Sequence, residues 1–327
     1  MLKPFLHKRC NELIEASMHY VNNDLKYFSN KEISIQYDIK NAIKFNAQSV
    51  FHQDKYSLTF YSEFFDRIYG AFNTLLYKEN ITFYHVASFG TENYEEDKAH
   101  LYLDILFDLA CRLIINHELG HIFNGHLKYK KHYGQSPVMY MNEDKNDLPP
   151  LVSQVLELDA DAFAATRSIG FMTYDDNIAE FNKLIPNLIQ NKSHAFLLTV
   201  VAAVIVFSIQ GLGKKRDNPN LLQLKYLPLR TRQDYYLRCA INAHKTMNPN
   251  EPLTFDIHFL REVVPNIEQY LNLYNHHVLG FDSDEYSSIN NRDELNTIYL
   301  EHCDTLDSFW EQNMREGLKP FSYFPPA

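Results

Sequence analysis

The sequence predicts a mainly helical α+β protein in which a small β-sheet precedes a long buried helix. Two observations predict this fold class: short alternating apolar segments lie between positions 33 and 87, and apolar residues recur at helical spacing from position 95 onward. With 327 residues and 45% hydrophobic content, the chain can build one large core or two smaller ones. We expect one compact unit, with a sheet-bearing part at 1–90, a helical core at 91–240 and a C-terminal helical extension at 241–327.

The N-terminal part begins with an amphipathic pattern at residues 4–29, which predicts a helix. Alternating or β-rich segments then predict four strands, at 33–39, 50–52, 56–60 and 81–87. Ser62 is a candidate N-cap for a helix that reaches Leu76. An exposed edge strand can pair with an extended peptide, and we expect that edge within 56–60 or 81–87. The alternative for each strand is a purely structural role.

The helix predicted between Glu95 and Phe123 carries the sequence His117-Glu118-Leu119-Gly120-His121. Histidines four residues apart lie on one face of a helix, so both rings can bind one zinc ion, with Glu118 beside the metal as general base. The alternative is a core helix that carries these residues by chance, but it would bury polar groups without a use for them. Gly125 follows the last apolar residue, as expected where a helix ends.

A second predicted helix begins at Pro149-Pro150 and supplies two carboxylates, Glu157 and Asp161. Their spacing of four places them on the same face, one turn apart. One carboxylate can bind zinc, while the other accepts the free N–H of a ligand histidine. The alternative is a solvated acidic face. His126 does not fit the spacing of a third histidine ligand, so we expect it to be a helix-end residue.

These two motifs together resemble the gluzincin peptidases, which have a zincin-like fold. More narrowly, the segment Glu157–Ala164 and the apolar run 195–209 are similar in layout to the HtpX and CAAX-protease-like branch and to the Lit phage-exclusion peptidases. The resemblance covers residues 50 to 240. It implies one Zn²⁺, held by His117, His121 and Glu157, with Asp161 orienting one of the histidines.

A third element of that branch, His-Pro-x-x-x-x-Arg, aligns with Tyr226–Arg232. Arg232 keeps its place, whereas Tyr226 stands where the family has histidine and Leu227 where it has proline. The family's histidine and arginine lie near the transition state. The resemblance therefore implies that Tyr226 or Arg232 stabilises the oxyanion, since a tyrosine hydroxyl can also donate to one.

Net charge, cysteine spacing and the distribution of apolar residues limit the classes of protein to which this sequence can belong. Lys and Arg number 31 against 41 Asp and Glu, a net charge of −10, which argues against nucleic-acid binding. The four cysteines are widely spaced and predict reduced core thiols: Cys10, Cys111, Cys239 and Cys303. The N-terminus lacks a secretion signal, so we expect a cytoplasmic protein. The uncharged run 195–209 is shorter than the roughly 20 residues of a membrane span and predicts a core helix.

Two polar segments, two helical segments and one histidine pair lie outside these motifs. Residues 128–150 and 211–220 are polar and predict surface loops, the first near the cleft, where it either controls access or simply connects. Helical patterns at 256–275 and 290–315 predict C-terminal helices that can bind a regulatory partner or an activating peptide. The pair His276-His277 is expected at the surface.

Three functions fit these motifs. The first is a cytosolic endopeptidase with a specific protein target, which the Lit resemblance implies is a phage-defence toxin. The second is a regulatory protease that cleaves a repressor, because Glu157–Ala164 also resembles the ImmA/IrrE proteases. The third is a non-catalytic zinc-binding module, against which the intact Glu118 argues. The first two require a protein or peptide substrate, and none requires a membrane or a nucleic acid.

Overall fold

The computed structural model describes residues 4–29, 33–42, 44, 46–77, 99–140, 148–210, 221–224, 227, 229–255 and 292–324. The α-helices in these ranges are α1 (Pro4–Ser29), α2 (Ser62–Tyr77), α3 (Ala99–Phe123), α4 (His126–His132), α5 (Pro150–Met172), α6 (Asp175–Leu184), α7 (Lys192–Gln210), α8 (Leu229–Met247), α9 (Arg292–Phe309) and α10 (Arg315–Leu318). A 3₁₀ turn lies at Leu221–Gln223 and a π-helical turn at Trp310–Met314. The strands are β1 (Ile35–Lys40), β2 (Ala47–His52), β3 (Lys55–Tyr61) and β4 (Val138–Tyr140). The predicted fold class, mainly helical α+β with a small N-terminal sheet, is confirmed at this level.

The four described strands form one mixed sheet in the order β1-β3-β2-β4. Strand β3 pairs in parallel with β1 and antiparallel with β2, which in turn pairs antiparallel with β4. Gln53 and Asp54 both have positive φ, which suits the tight two-residue turn that joins β2 to β3. The strands predicted at 33–39, 50–52 and 56–60 are confirmed.

The prediction of an edge strand at 56–60 is wrong, because β3 forms hydrogen bonds with a neighbour on each side. Pairing order depends on contacts between distant parts of the chain, which local alternation does not encode. Among the described strands, β1 and β4 are the outer ones. The alternative position for that edge, 81–87, lies outside the described residues, as do the predicted elements at 211–220, 256–275 and 276–277.

The helical core is built around α3 and α7. Helix α3 packs against α1, α2, α5, α7 and strand β2, and its residues from Ile105 to Phe123 are buried except for the half-buried Arg112. Helix α7 is, among the described residues, the one helix apolar and long enough to cross a membrane. All its side chains from Ser193 to Gln210 are buried inside the protein, which confirms the predicted core helix at 195–209.

The segment predicted as an irregular loop at 128–150 contains regular structure, so that prediction is wrong. Its first five residues, 128–132, belong to helix α4, and Val138–Tyr140 form strand β4 against β2. Lysines made the segment look solvated, but the aliphatic stem of Lys130 is buried and its ammonium group donates to the Val138 carbonyl at 2.6 Å. This bond ties α4 to β4.

Gly125 separates α3 from α4, as the sequence predicts for a helix-ending glycine. Its φ of +84° is in the left-handed region, where glycine carries no steric penalty. The C-terminal segment, residues 321–324, docks on this turn: the Tyr323 N–H donates to the Phe123 carbonyl at 2.7 Å, and the Ser322 hydroxyl to the Asn124 carbonyl at 2.8 Å. The end of α3 is thereby capped by the far end of the chain.

Candidate metal site

The candidate site lies where helices α3 and α5 come closest. Gly120 makes the approach possible, since a Cβ at this position would lie 3.1 Å from the Ala160 Cα and 3.2 Å from the Phe163 Cβ. A side chain here would require α5 to shift by a few tenths of an ångström. The absent side chain lets the carboxylates of α5 lie directly against the histidines of α3.

Three side chains meet at this contact with the geometry of a metal-binding group: His117, His121 and Glu157. The two histidine Nε2 atoms are 3.1 Å apart, and the Glu157 oxygens lie 3.4 Å and 3.6 Å from them. A tetrahedral ion at about 2.0–2.1 Å from each ligand atom would place the ligand atoms about 3.3 Å from one another. The group therefore has the spacing to hold a metal ion.

The buried carboxylate oxygens of the site also fit a cation. Both carboxylate oxygens of Glu157, and both of the neighbouring Glu118, are buried without a hydrogen bond of good geometry among the described residues. A buried carboxylate without a partner is costly, and a bound cation would offset that cost. Two imidazoles with one carboxylate are the ligands of many catalytic zinc sites.

The ring nitrogen of His117 that does not face the metal-binding group, Nδ1, contacts a buried ion pair. Its Nδ1 is 2.8 Å from Asp161 Oδ1. Arg232, on α8, donates to the same carboxylate from Nε at 2.8 Å and from Nη2 at 2.6 Å, while its Nη1 donates to Gln210 Oε1 at 2.9 Å. This arrangement fixes the orientation of the His117 ring.

The corresponding nitrogen of His121, Nδ1, has a different set of partners. Its Nδ1 is 2.8 Å from His126 Nδ1, and His126 Nε2 is 2.8 Å from Asp159 Oδ2. The Asn124 amide donates to the same Asp159 oxygen at 2.6 Å. These contacts were not predicted from the sequence, although Asn124-Gly125 is a turn signal that can direct His126 back towards α3.

Burial and charge together shift the pKa values of the site. Burial lowers the pKa of His117, but Asp161 and Glu157 outweigh it and raise that pKa to about 9. Burial raises the pKa of Glu118 to about 8, although His117 opposes this shift and the Ser49 hydroxyl opposes it more weakly. The pKa of His121 is well below its usual value, because of burial and then the nearby His117. Burial raises the pKa of Asp161, but Arg232 and His117 outweigh it and hold that pKa below its usual range.

The structure brings together most of the predicted site residues: His117, Glu118, His121, Glu157 and Asp161. It places Arg232 behind Asp161, where three of its nitrogens already donate hydrogen bonds. The predicted role of Arg232 at an oxyanion therefore stays a prediction, and Tyr226 lies outside the described residues.

No protein-family model, no curated protein and no solved structure matches this chain. Fold and site together define a mainly helical α+β protein with a buried His-His-Glu group that can hold a metal ion.

Proposed function

We propose that this protein is a zinc-dependent endopeptidase of the gluzincin type, with a zincin-like fold, which hydrolyses a peptide bond in a specific cytosolic protein. The observation that carries the proposal is Glu118, a buried carboxylate beside the two histidines whose oxygens have no hydrogen bond of good geometry among the described residues. A purely structural zinc site uses four protein ligands and has no need of a general base next to them.

In this proposal His117, His121 and Glu157 hold the zinc ion. When bound, zinc would act as a Lewis acid, polarising the peptide carbonyl and lowering the pKa of water towards 7. Glu118 takes a proton from the attacking water and returns it to the leaving nitrogen, as a new C–O bond forms and the C–N bond breaks. Glu118 is buried one position along the helix from His117, which places its carboxylate beside the proposed zinc ion.

The remaining residues of the proposal orient the reacting groups. Asp161 accepts from the His117 ring, and Arg232 holds Asp161 in place. The family resemblance implies an oxyanion donor, Tyr226 or Arg232. Removing such a donor typically costs about 10²–10³ in rate.

A second candidate is a non-catalytic zinc-binding module, and one observation favours it. His117 and His121 are wholly buried and Glu157 is only 4% exposed, so the site has little contact with solvent. Under the endopeptidase proposal, the same burial means that the site must open before a peptide can reach it.

The experiment that separates the two candidates compares zinc content and toxicity for three forms of the protein: wild type, His117→Ala and Glu118→Gln. We expect about one zinc per chain in wild type and Glu118→Gln, and loss of zinc in His117→Ala. Because Glu118→Gln keeps shape and removes the base, it should abolish cleavage while zinc stays bound. Full proteolysis by Glu118→Gln would contradict the mechanism, and absence of zinc from wild type would contradict the whole proposal.

The proposed biological role is phage defence, which the Lit resemblance implies; cleavage of a repressor, as by ImmA/IrrE-like proteases, is the alternative. Expression of the three forms in cells tests the first role. Growth arrest by wild type alone, followed by mass spectrometry of cleaved proteins, would identify the target. A cleaved repressor among the products would support the alternative.

A further inference from the structure

We infer that His126 and Asp159 are positioning residues for His121, and that they select the tautomer in which His121 can bind a metal ion. This inference rests on the proposed zinc site. It follows from two contacts at 2.8 Å, between the Nδ1 atoms of His121 and His126 and between His126 Nε2 and Asp159 Oδ2.

The direction of these hydrogen bonds follows from the chemistry of the last partner. A carboxylate only accepts, so His126 must carry its proton on Nε2 and donate it to Asp159. In the neutral ring, Nδ1 of His126 then has a lone pair and accepts from His121 Nδ1–H. With its proton on Nδ1, neutral His121 has a lone pair on Nε2, the atom that faces His117 and Glu157.

The opposite tautomers are unfavourable at both contacts. A proton on His126 Nδ1 instead would leave its Nε2 lone pair facing the Asp159 carboxylate at 2.8 Å. His121 would then carry its proton on Nε2, which blocks the atom needed for the metal. Asp159 therefore determines the tautomer of His121, a proposed metal ligand, through the His126 ring that lies between them.

The backbone keeps His126 in position for this task. Gly125, with φ of +84°, ends α3 and turns the chain so that His126, the first residue of α4, faces back towards α3. His126 is wholly buried, whereas Asp159 lines a cavity of about 630 Å³ together with Asn124. The hydrogen-bonded chain thus runs from the metal-binding group to the wall of this cavity.

The inference is tested on the purified full-length protein by measuring zinc affinity in chelator competition and the visible spectrum of the Co²⁺-substituted protein. The variants are His126→Phe, His126→Gln and Asp159→Asn. The control is His244→Phe, which removes a buried histidine of α8 whose partner is the Glu251 carbonyl, 2.9 Å away. We expect His126→Phe to weaken zinc binding about 10–100-fold and to change the Co²⁺ spectrum. The control should alter neither.

His126→Gln is the rescue variant, because its amide can accept from His121 and donate to Asp159. It should recover most of the affinity and the wild-type spectrum. If His126→Phe does not fold, Asp159→Asn provides the test, and it should weaken zinc binding and change the Co²⁺ spectrum. Zinc affinity and spectrum unchanged in both His126→Phe and Asp159→Asn would overturn this inference and leave the proposed function standing. Wild type that binds neither metal would overturn the proposed function, and this inference with it.

Discussion

Asp161 is wholly buried, and Arg232 is the cation that compensates its charge. Two guanidinium nitrogens donate to the carboxylate, at 2.8 Å and 2.6 Å, and the His117 ring lies on its other side. Removing one partner of a buried ion pair leaves an uncompensated charge, which costs more than the pair itself contributes. We therefore expect the protein to be sensitive to substitution of either partner, Asp161 or Arg232.

We predict that Arg232→Leu lowers the free energy of unfolding by about 3–5 kcal/mol, because Asp161 loses its buried partner. Arg232→Lys should also destabilise the protein, since an ammonium group cannot reproduce the two-pronged contact. Urea unfolding measures both effects. In the double variant Arg232→Leu, Asp161→Asn the buried charge is gone, and part of the stability should return. A double variant as unstable as the sum of the two single variants would contradict this account.

At the residue scale, the sequence predicts those site residues that lie within a motif of fixed spacing. One helical turn places His117, Glu118 and His121 close together, so their proximity can be predicted without knowing the fold. His126 and Asp159 meet only because the chain turns at Gly125 and because α3 and α5 lie in contact. Spacing along the chain does not report such a contact.

Among the elements, those whose own residues carry an apolar or alternating pattern were predictable, whereas the three-residue strand β4 was not. The patterns that predicted α1, α5 and α7 extend over many turns, and their packing against the core follows from them. Strand β4 has three residues and exists because β2 offers it a hydrogen-bonding edge. Its stability comes from tertiary pairing, which is why a local pattern did not predict it.

The turn between α3 and α4 provides a test of how the C-terminal segment is docked. In Gly125→Ala the new Cβ would lie 2.5 Å from the Phe321 carbonyl carbon, in a backbone conformation that alanine avoids. We expect a loss of about 2–4 kcal/mol in the free energy of unfolding, because strain and a backbone clash add. Chemical denaturation measures it.

Gly134 is the matched control for this substitution. Its φ of +70° is also left-handed, but within the described part of the chain nothing lies within 4 Å of the position of a new Cβ. Gly134→Ala should therefore cost only the conformational strain, about 1 kcal/mol. Equal losses in the two variants would mean that residues 321–324 contribute no close contact at Gly125.

Across the whole molecule, the cysteines behave as the sequence predicts for a protein with reduced thiols. All four are free; Cys10, Cys111 and Cys303 are buried, and Cys239 is half-buried. Burial raises the pKa of Cys303 to about 12, with the Arg238 charge opposing the shift, and burial also raises the pKa values of Cys111 and Cys239. Burial therefore favours the neutral thiol at these three cysteines in the folded state.

We predict that stability falls as the pH rises above about 8.5, the pKa of a thiol in an unfolded chain. Above that pH the unfolded state releases protons that the folded state retains, so unfolding becomes more favourable until the folded pKa is reached. For Cys303 the loss is up to about 1.4 kcal/mol per pH unit, or about 2 kcal/mol at pH 10. Urea midpoints between pH 7.5 and 10 under reducing conditions measure this slope.

Cys303→Ala should reduce the slope of unfolding free energy against pH, because one titrating group is removed. The variant can also be less stable at neutral pH, since the substitution removes buried packing, but that loss does not change with pH. A slope unchanged by Cys303→Ala would show that this thiol ionises equally in both states.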